Sequence, residues 1–100
     1  YTNPQIPIAG RLFNAQALFK YQNVIIAEGA ISAIACGPNG VATLGNKATP
    51  EQLSRLIKSP VEGFVIAYDA GQEYGKPVLD MAEVLREAGK LVVITSLAIA

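Results

Sequence analysis

Histidine and tryptophan are missing altogether from the 100 residues, and cysteine occurs once, at Cys36. Without histidine the chain cannot build a Ser-His-Asp triad or a Cys/His zinc centre, and a lone cysteine cannot close an internal disulfide. Charge is scarce as well. Lys plus Arg and Asp plus Glu number 8 each, so the formal net charge is 0 and no overall field draws the chain to a phosphate backbone. Any contact with nucleic acid must be local or be supplied by other domains. No apolar run reaches membrane-spanning length, and the opening YTNPQIPIAG has neither the basic flank nor the apolar block of a signal peptide. These absences predict a soluble, cytoplasmic protein with no membrane partner. Its chemistry rests on carboxylates, lysines, arginines, hydroxyls and backbone amides. The polar start without Met and the apolar finish SLAIA predict an excerpt of a longer protein.

What is present is apolar: 51% hydrophobic against 16% charged residues, the composition of a packed globule of one small domain. Residues 1–22 carry Pro4, Pro7 and Gly10 and no clear period, with a short helix or turn expected near 14–20. NVIIAEG follows, with Val24, Ile25, Ile26 and Ala27 in an unbroken run that suits a strand covered on both faces. AISAIACG predicts a short helix stopped by Gly37 and Pro38, and GVATLG a second strand ending at Gly45. TPEQLSRLIKSP carries the clearest local signal: Thr49 as N-cap, Pro50 at the first helical position, Gln52 three after the cap, and Leu53, Leu56 and Ile57 on one face. GFVIAYD repeats the pattern of the first strand. KPVLDMAEVLREAGK is helical, with Val78, Met81, Ala82 and Leu85 spaced by three and four and Gly89 as its stop, and LVVITSLAIA is a fourth strand. Strands alternating with helices predict an α/β domain with a parallel sheet and right-handed crossovers.

Two of the four strands end on an acid, Glu28 and Asp69. In open parallel sheets ligands gather beyond the carboxyl ends of the strands, where strand order reverses. If the first and third strands are neighbours, both acids face one crevice. Gly29 follows Glu28 directly and Gly71 follows Asp69 after one residue, so backbone can approach a ligand there. Two carboxylates beside helix N-termini suit a hard divalent cation bridging protein and phosphate. An acid at a strand end also serves as a helix cap or turn-former, and that plainer role competes for each residue. Cys36, beside a helix stop, is expected as a core thiol rather than a nucleophile. Asn46, Lys47 and Tyr74 are expected as solvated loop residues; Lys76 is in a position to neutralise a ligand charge.

NVIIAEGAISAIAC resembles the opening strand and Glu-Gly of the Toprim domain shared by bacterial-type primases, topoisomerases and some nucleases. GVATLGNKATPEQLSRL is similar to the second strand and helix of the primase branch. GFVIAYDAGQEYGKPVLDMAEVLREAGKLVVI is similar to its aspartate-bearing third strand, following helix and fourth strand. RLFNAQALFKYQ looks like the segment that leads into the domain in primase-like proteins of phages and plasmids. The resemblance covers about 20–95 and implies a lead-in over 1–22 and, over 23–100, a Toprim-like domain of three-layer, Rossmann-like α/β fold with a four-stranded, mainly parallel sheet and flanking helices. It implies Mg²⁺ or Mn²⁺ as cofactor, Glu28 and Asp69 as the catalytic and metal-binding pair, and Gly29, Gly71 and Lys76 around the bound nucleotide. Ser32 and Gly71 stand where the family carries further acids, and Glu73 is the candidate replacement ligand.

The activity so implied is nucleotidyl transfer making RNA primers during DNA replication. Nucleotides and single-stranded DNA would be the partners through the parent protein, alongside zinc-binding or helicase domains. The alternatives are a catalytically degenerate module with a nucleic-acid-binding or structural role, and a metal-dependent nuclease of the same superfamily that draws more acids from outside the chain.

Overall fold

Uninterrupted apolar runs form the strands, and the polar turns between them free the chain for crossover helices. The computed structural model describes residues 10–45, 47–69 and 75–97. In chain order they give a short 3-10 helix (Ala15–Phe19), β1 (Asn23–Ala27), α1 (Ala30–Cys36), β2 (Gly40–Ala42), α2 (Pro50–Lys58), β3 (Gly63–Asp69), α3 (Lys76–Glu87) and β4 (Leu91–Leu97). The strands form one sheet in the order β2-β1-β3-β4. Every pairing is parallel, with Ile26 opposite Val41 on one side and opposite Ile66 on the other. β1 is therefore interior, and the chain crosses over it on the way from β2 to β3. That reversal is the switch point of an open α/β sheet.

Alternation along the strands sorts side chains between two unequal cores. Val24, Ile26, Val41, Phe64 and Ile66 face Leu56 of α2 and Val78, Met81, Ala82 and Leu85 of α3. Leu12, Ala17 and Leu18, from the segment ahead of β1, complete this larger core. On the other face Ala27 and Ala42 meet Ala33 of α1, with Phe13 against them. Only small side chains lie between α1 and the sheet, so the helix sits close. Gly40 shows how close: a Cβ built on it would lie 2.1 Å from the Ala33 carbonyl oxygen. Gly37, just past α1, takes φ 106, a left-handed conformation that glycine adopts without strain.

α2 starts where its sequence signal places it. The Thr49 hydroxyl accepts from the Gln52 amide, and the Gln52 side chain accepts from the Thr49 amide, with Pro50 at the first helical position. β2 is shorter than the run GVATLG predicts. It ends at Ala42 because Thr43 turns its hydroxyl onto the Gly45 carbonyl at 2.8 Å, and Leu44 takes φ 62. The segment ahead of β1 is tied to β2 by an antiparallel bridge between Phe13 and Ala42.

Gly40→Ala is expected to destabilise the fold by about 2 kcal/mol, because the new methyl meets backbone that cannot swing aside. Urea denaturation at constant m-value measures this. A cost near zero would show that α1 shifts freely on the sheet.

Candidate functional site

Glu28 follows the last residue of β1, and Asp69 is the last residue of β3. Because β1 and β3 are hydrogen-bonded neighbours, the two acids stand at the carboxyl ends of adjacent strands, at the switch point. Extending the pairing of Ile26 with Ile66 by two residues puts Glu28 level with Tyr68, and Asp69 one step beyond. Glu28 is half-buried in the bend between β1 and α1, and Asp69 is exposed. Glu28 has left the strand, so the alternation of faces no longer constrains its side chain.

The floor of the crevice is a buried polar network. Tyr68 is 1% exposed, yet its hydroxyl lies 2.9 Å from the Thr43 hydroxyl. The Thr43 proton is directed at the Gly45 carbonyl, so Tyr68 is the donor of the pair. Gln52 joins them by donating to the Thr43 carbonyl at 2.7 Å and to the Arg11 carbonyl at 2.8 Å. The Thr43 amide donates to Ala27 and the Leu44 amide to Glu28, which carries the ladder between β1 and the β2 segment past the end of β2. Sequence reading singled out Gln52 as a helix cap and passed over Thr43 and Tyr68. The available signal was a tyrosine inside an apolar strand, since a buried phenol requires a partner.

Burial pushes the Tyr68 phenol above its ordinary 10.0; the Thr43 hydrogen bond pulls it part of the way back, and the negative charge of Glu28 adds to the rise. Cys36 is half-buried, and burial raises its thiol as well, in keeping with a packing role rather than a nucleophile.

The remaining candidates are dispersed. Gly29 caps the start of α1 and has open space around its α-carbon, as a ligand-approach position requires. Lys76, at the first position of α3, is turned along the helix to Asp80 at 3.1 Å. Ser32 is half-buried on α1, and Lys47 is exposed. Asn46, Gly71, Glu73 and Tyr74 lie outside the described residues.

Among the described residues no three histidine, cysteine or carboxylate side chains group closely enough to hold a metal by themselves. Among the described residues the candidate donors at this end of the sheet are the two carboxylates of Glu28 and Asp69. That number fits a hard cation such as Mg²⁺, which keeps several waters and completes its shell with substrate phosphates. It does not fit a metal that needs a closed protein cage.

No protein-family model and no curated protein matches the chain. Its fold is similar to that of the Aquifex aeolicus primase, in a crystal structure of the zinc-binding and RNA polymerase domains, with a TM-score of 0.69 and 23% sequence identity. The match covers 97% of this chain and 26% of that one, so the chain spans about a quarter of the length of the structure it resembles. At that identity the likeness establishes the α/β fold.

The raised Tyr68 value has a consequence at alkaline pH. Below the ordinary 10.0 the phenol is neutral in both folded and unfolded chains, and its contribution to stability is complete. Above 10.0 the unfolded chain ionises first, so stability falls as pH rises through the folded value. Melting curves from pH 8 to 12 are expected to show a steeper alkaline loss in the wild type than in Tyr68→Phe, and parallel profiles would contradict the burial of the hydroxyl.

Proposed function

We propose that the chain is the Toprim-like domain of a primase-related replication protein, and that Glu28 and Asp69 hold one divalent cation, Mg²⁺ or Mn²⁺, for nucleotidyl transfer. The observation that carries this reading is the position of the two acids at the ends of neighbouring interior strands, where the order of the sheet reverses. The likeness of the fold to a primase supports it.

When bound, the cation supplies a positive charge that neutralises a nucleotide's phosphates and helps hold them in line for displacement. The chain's own residues supply the rest. Glu28 and Asp69 offer oxygen ligands from two strands whose separation is set by the ladder between them. Gly29 leaves room for a phosphate to approach the backbone at the start of α1. Lys76, exposed at the mouth of α3 and paired among the described residues with Asp80 in a surface ion pair, can exchange Asp80 for a phosphate at small cost. Gly71 and Glu73 belong to the same β3–α3 connection, and Glu73 is the proposed third ligand. Single-stranded DNA and further replication domains would be met through a longer parent protein.

A second reading is favoured by the short donor set: among the described residues no three potential ligands group together, and Ser32 stands one helical turn after Glu28, which suits a domain that retains the fold as a binding or structural module. Two experiments separate the readings. Calorimetric titration of Mg²⁺ and Mn²⁺ is expected to show weak binding to the wild type and none to the Glu28→Gln, Asp69→Asn double variant; identical null responses would discard the metal role. In the longer parent, Asp69→Ala is expected to abolish primer synthesis on single-stranded DNA. Full activity in that variant would favour the module.

A further inference from the structure

β1 separates Thr43 from Tyr68 in the sheet, yet their hydroxyls meet. Extending the pairs Ala27 with Ala42 and Ile26 with Ile66 puts Thr43 and Tyr68 on either side of Glu28, in one row across three strands. Residues two strands apart are separated by roughly 10 Å of backbone, so the two side chains close that gap by reaching across the row. Thr43 is 4% exposed and Tyr68 1%, so the contact is shielded from water. Each polar atom of Thr43 is committed: the amide to Ala27, the carbonyl to Gln52, and the hydroxyl to both Gly45 and Tyr68. The next amide, of Leu44, donates to the Glu28 carbonyl at 2.8 Å. Leu44 holds φ 62, a conformation a leucine adopts only when its surroundings impose it.

We propose that the Thr43–Tyr68 hydroxyl pair is a brace that positions Glu28 for the cation. Tyr68, buried and level with Glu28 on the neighbouring strand, takes up core space that the Glu28 carboxylate would otherwise enter. The hydrogen bond fixes the Leu44 segment, which in turn holds the Glu28 backbone. Neither residue touches the cation. Both act through Glu28 and are positioning residues. The inference rests on the cation-binding reading of Glu28.

The test uses the full 100-residue chain and Mn²⁺ alone as probe, read by paramagnetic resonance of the free ion. Tyr68→Phe and Thr43→Val are expected to weaken Mn²⁺ binding about tenfold, the usual size of effect when a group supporting a metal ligand is lost. Thr43→Ser, which keeps the hydroxyl, is expected to bind as the wild type does. Val84→Ala, on α3 away from the crevice, is the control for lost stability and is expected to leave affinity unchanged. Hydrogen exchange adds a readout that needs no metal: the Leu44 amide is expected to exchange about tenfold faster in Tyr68→Phe, while the Ile66 amide in the middle of the sheet keeps its wild-type rate.

Equal Mn²⁺ affinity in wild type and Tyr68→Phe overturns the brace, as does an equal loss in Val84→Ala. If the wild type binds no Mn²⁺, the cation reading falls by itself. The Leu44 exchange rate then decides: acceleration keeps the brace as an organiser of the loop, and an unchanged rate removes it.

Discussion

The parallel pairing of β1 with strands on both sides is the constraint from which the rest of the molecule follows. An interior strand in a small sheet has no polar face, and this explains why Val24, Ile26 and Ala27 are all fully buried. It also explains why the chain must cross over β1 between β2 and β3, since the first strand already has one neighbour when the third arrives. The crossover makes β1 and β3 adjacent with a reversal of order between them, and that reversal opens the crevice at their carboxyl ends. Glu28 is at that rim because the strand that carries it is central. On an edge strand the same Glu-Gly would border solvent on one side and could not share a ligand with residues of two neighbours.

The two faces of the sheet are served unequally. α2 and α3 bury one face under large side chains, whereas α1 covers the other only over β1 and β2, through alanines and Gly40. Over β4 that second face stays open, and Leu91 and Val93 are 73% and 59% exposed. Ile31 and Ile34 likewise point away from the sheet on α1. The high apolar fraction of the sequence is therefore spent only partly on the core. The close seating of α1 also keeps its short connection to β1, Glu28 and Gly29, at the carboxyl end of that strand.

Much of this was legible in the residues. Uninterrupted apolar runs located β1, β3 and β4, and the Thr49-Pro50-Gln52 cap located the start of α2, because these signals act through neighbours in the chain. The helix stop at Gly37 was legible for the same reason. The acids at the two strand ends were visible, but their adjacency was conditional on a strand order that no local pattern encodes. The length of β2 was not legible: Thr43 and Leu44 continue the run GVATLG, and the chain turns there through the bonds of Thr43 to Gly45, Gln52 and Tyr68 and the positive φ of Leu44. The double duty of Gln52 was half legible. Its cap could be read from spacing, whereas its bonds to Arg11 and Thr43 span 41 and 9 residues and exist only after folding.

The scarcity of charge in this chain bears on how its crevice can work. Two carboxylates give a cation less Coulombic stabilisation than three or four, and the difference must come from elsewhere if a metal is to be held. One source is a site that does not have to be assembled on binding, since ordering flexible ligands costs free energy that a rigid site has already met during folding. The structure is built along those lines. The backbone of Glu28 is bonded to the β2 segment through Leu44, and the floor beneath it is a tyrosine fully buried and hydrogen-bonded. Thr43 and Gln52 tie that floor to α2. Asp69, by contrast, stands exposed at the end of its strand, where the β3–α3 connection begins. This end of the sheet thus pairs one acid, Glu28, that is half-buried and tied through its backbone to the neighbouring segment with another, Asp69, that is open to solvent.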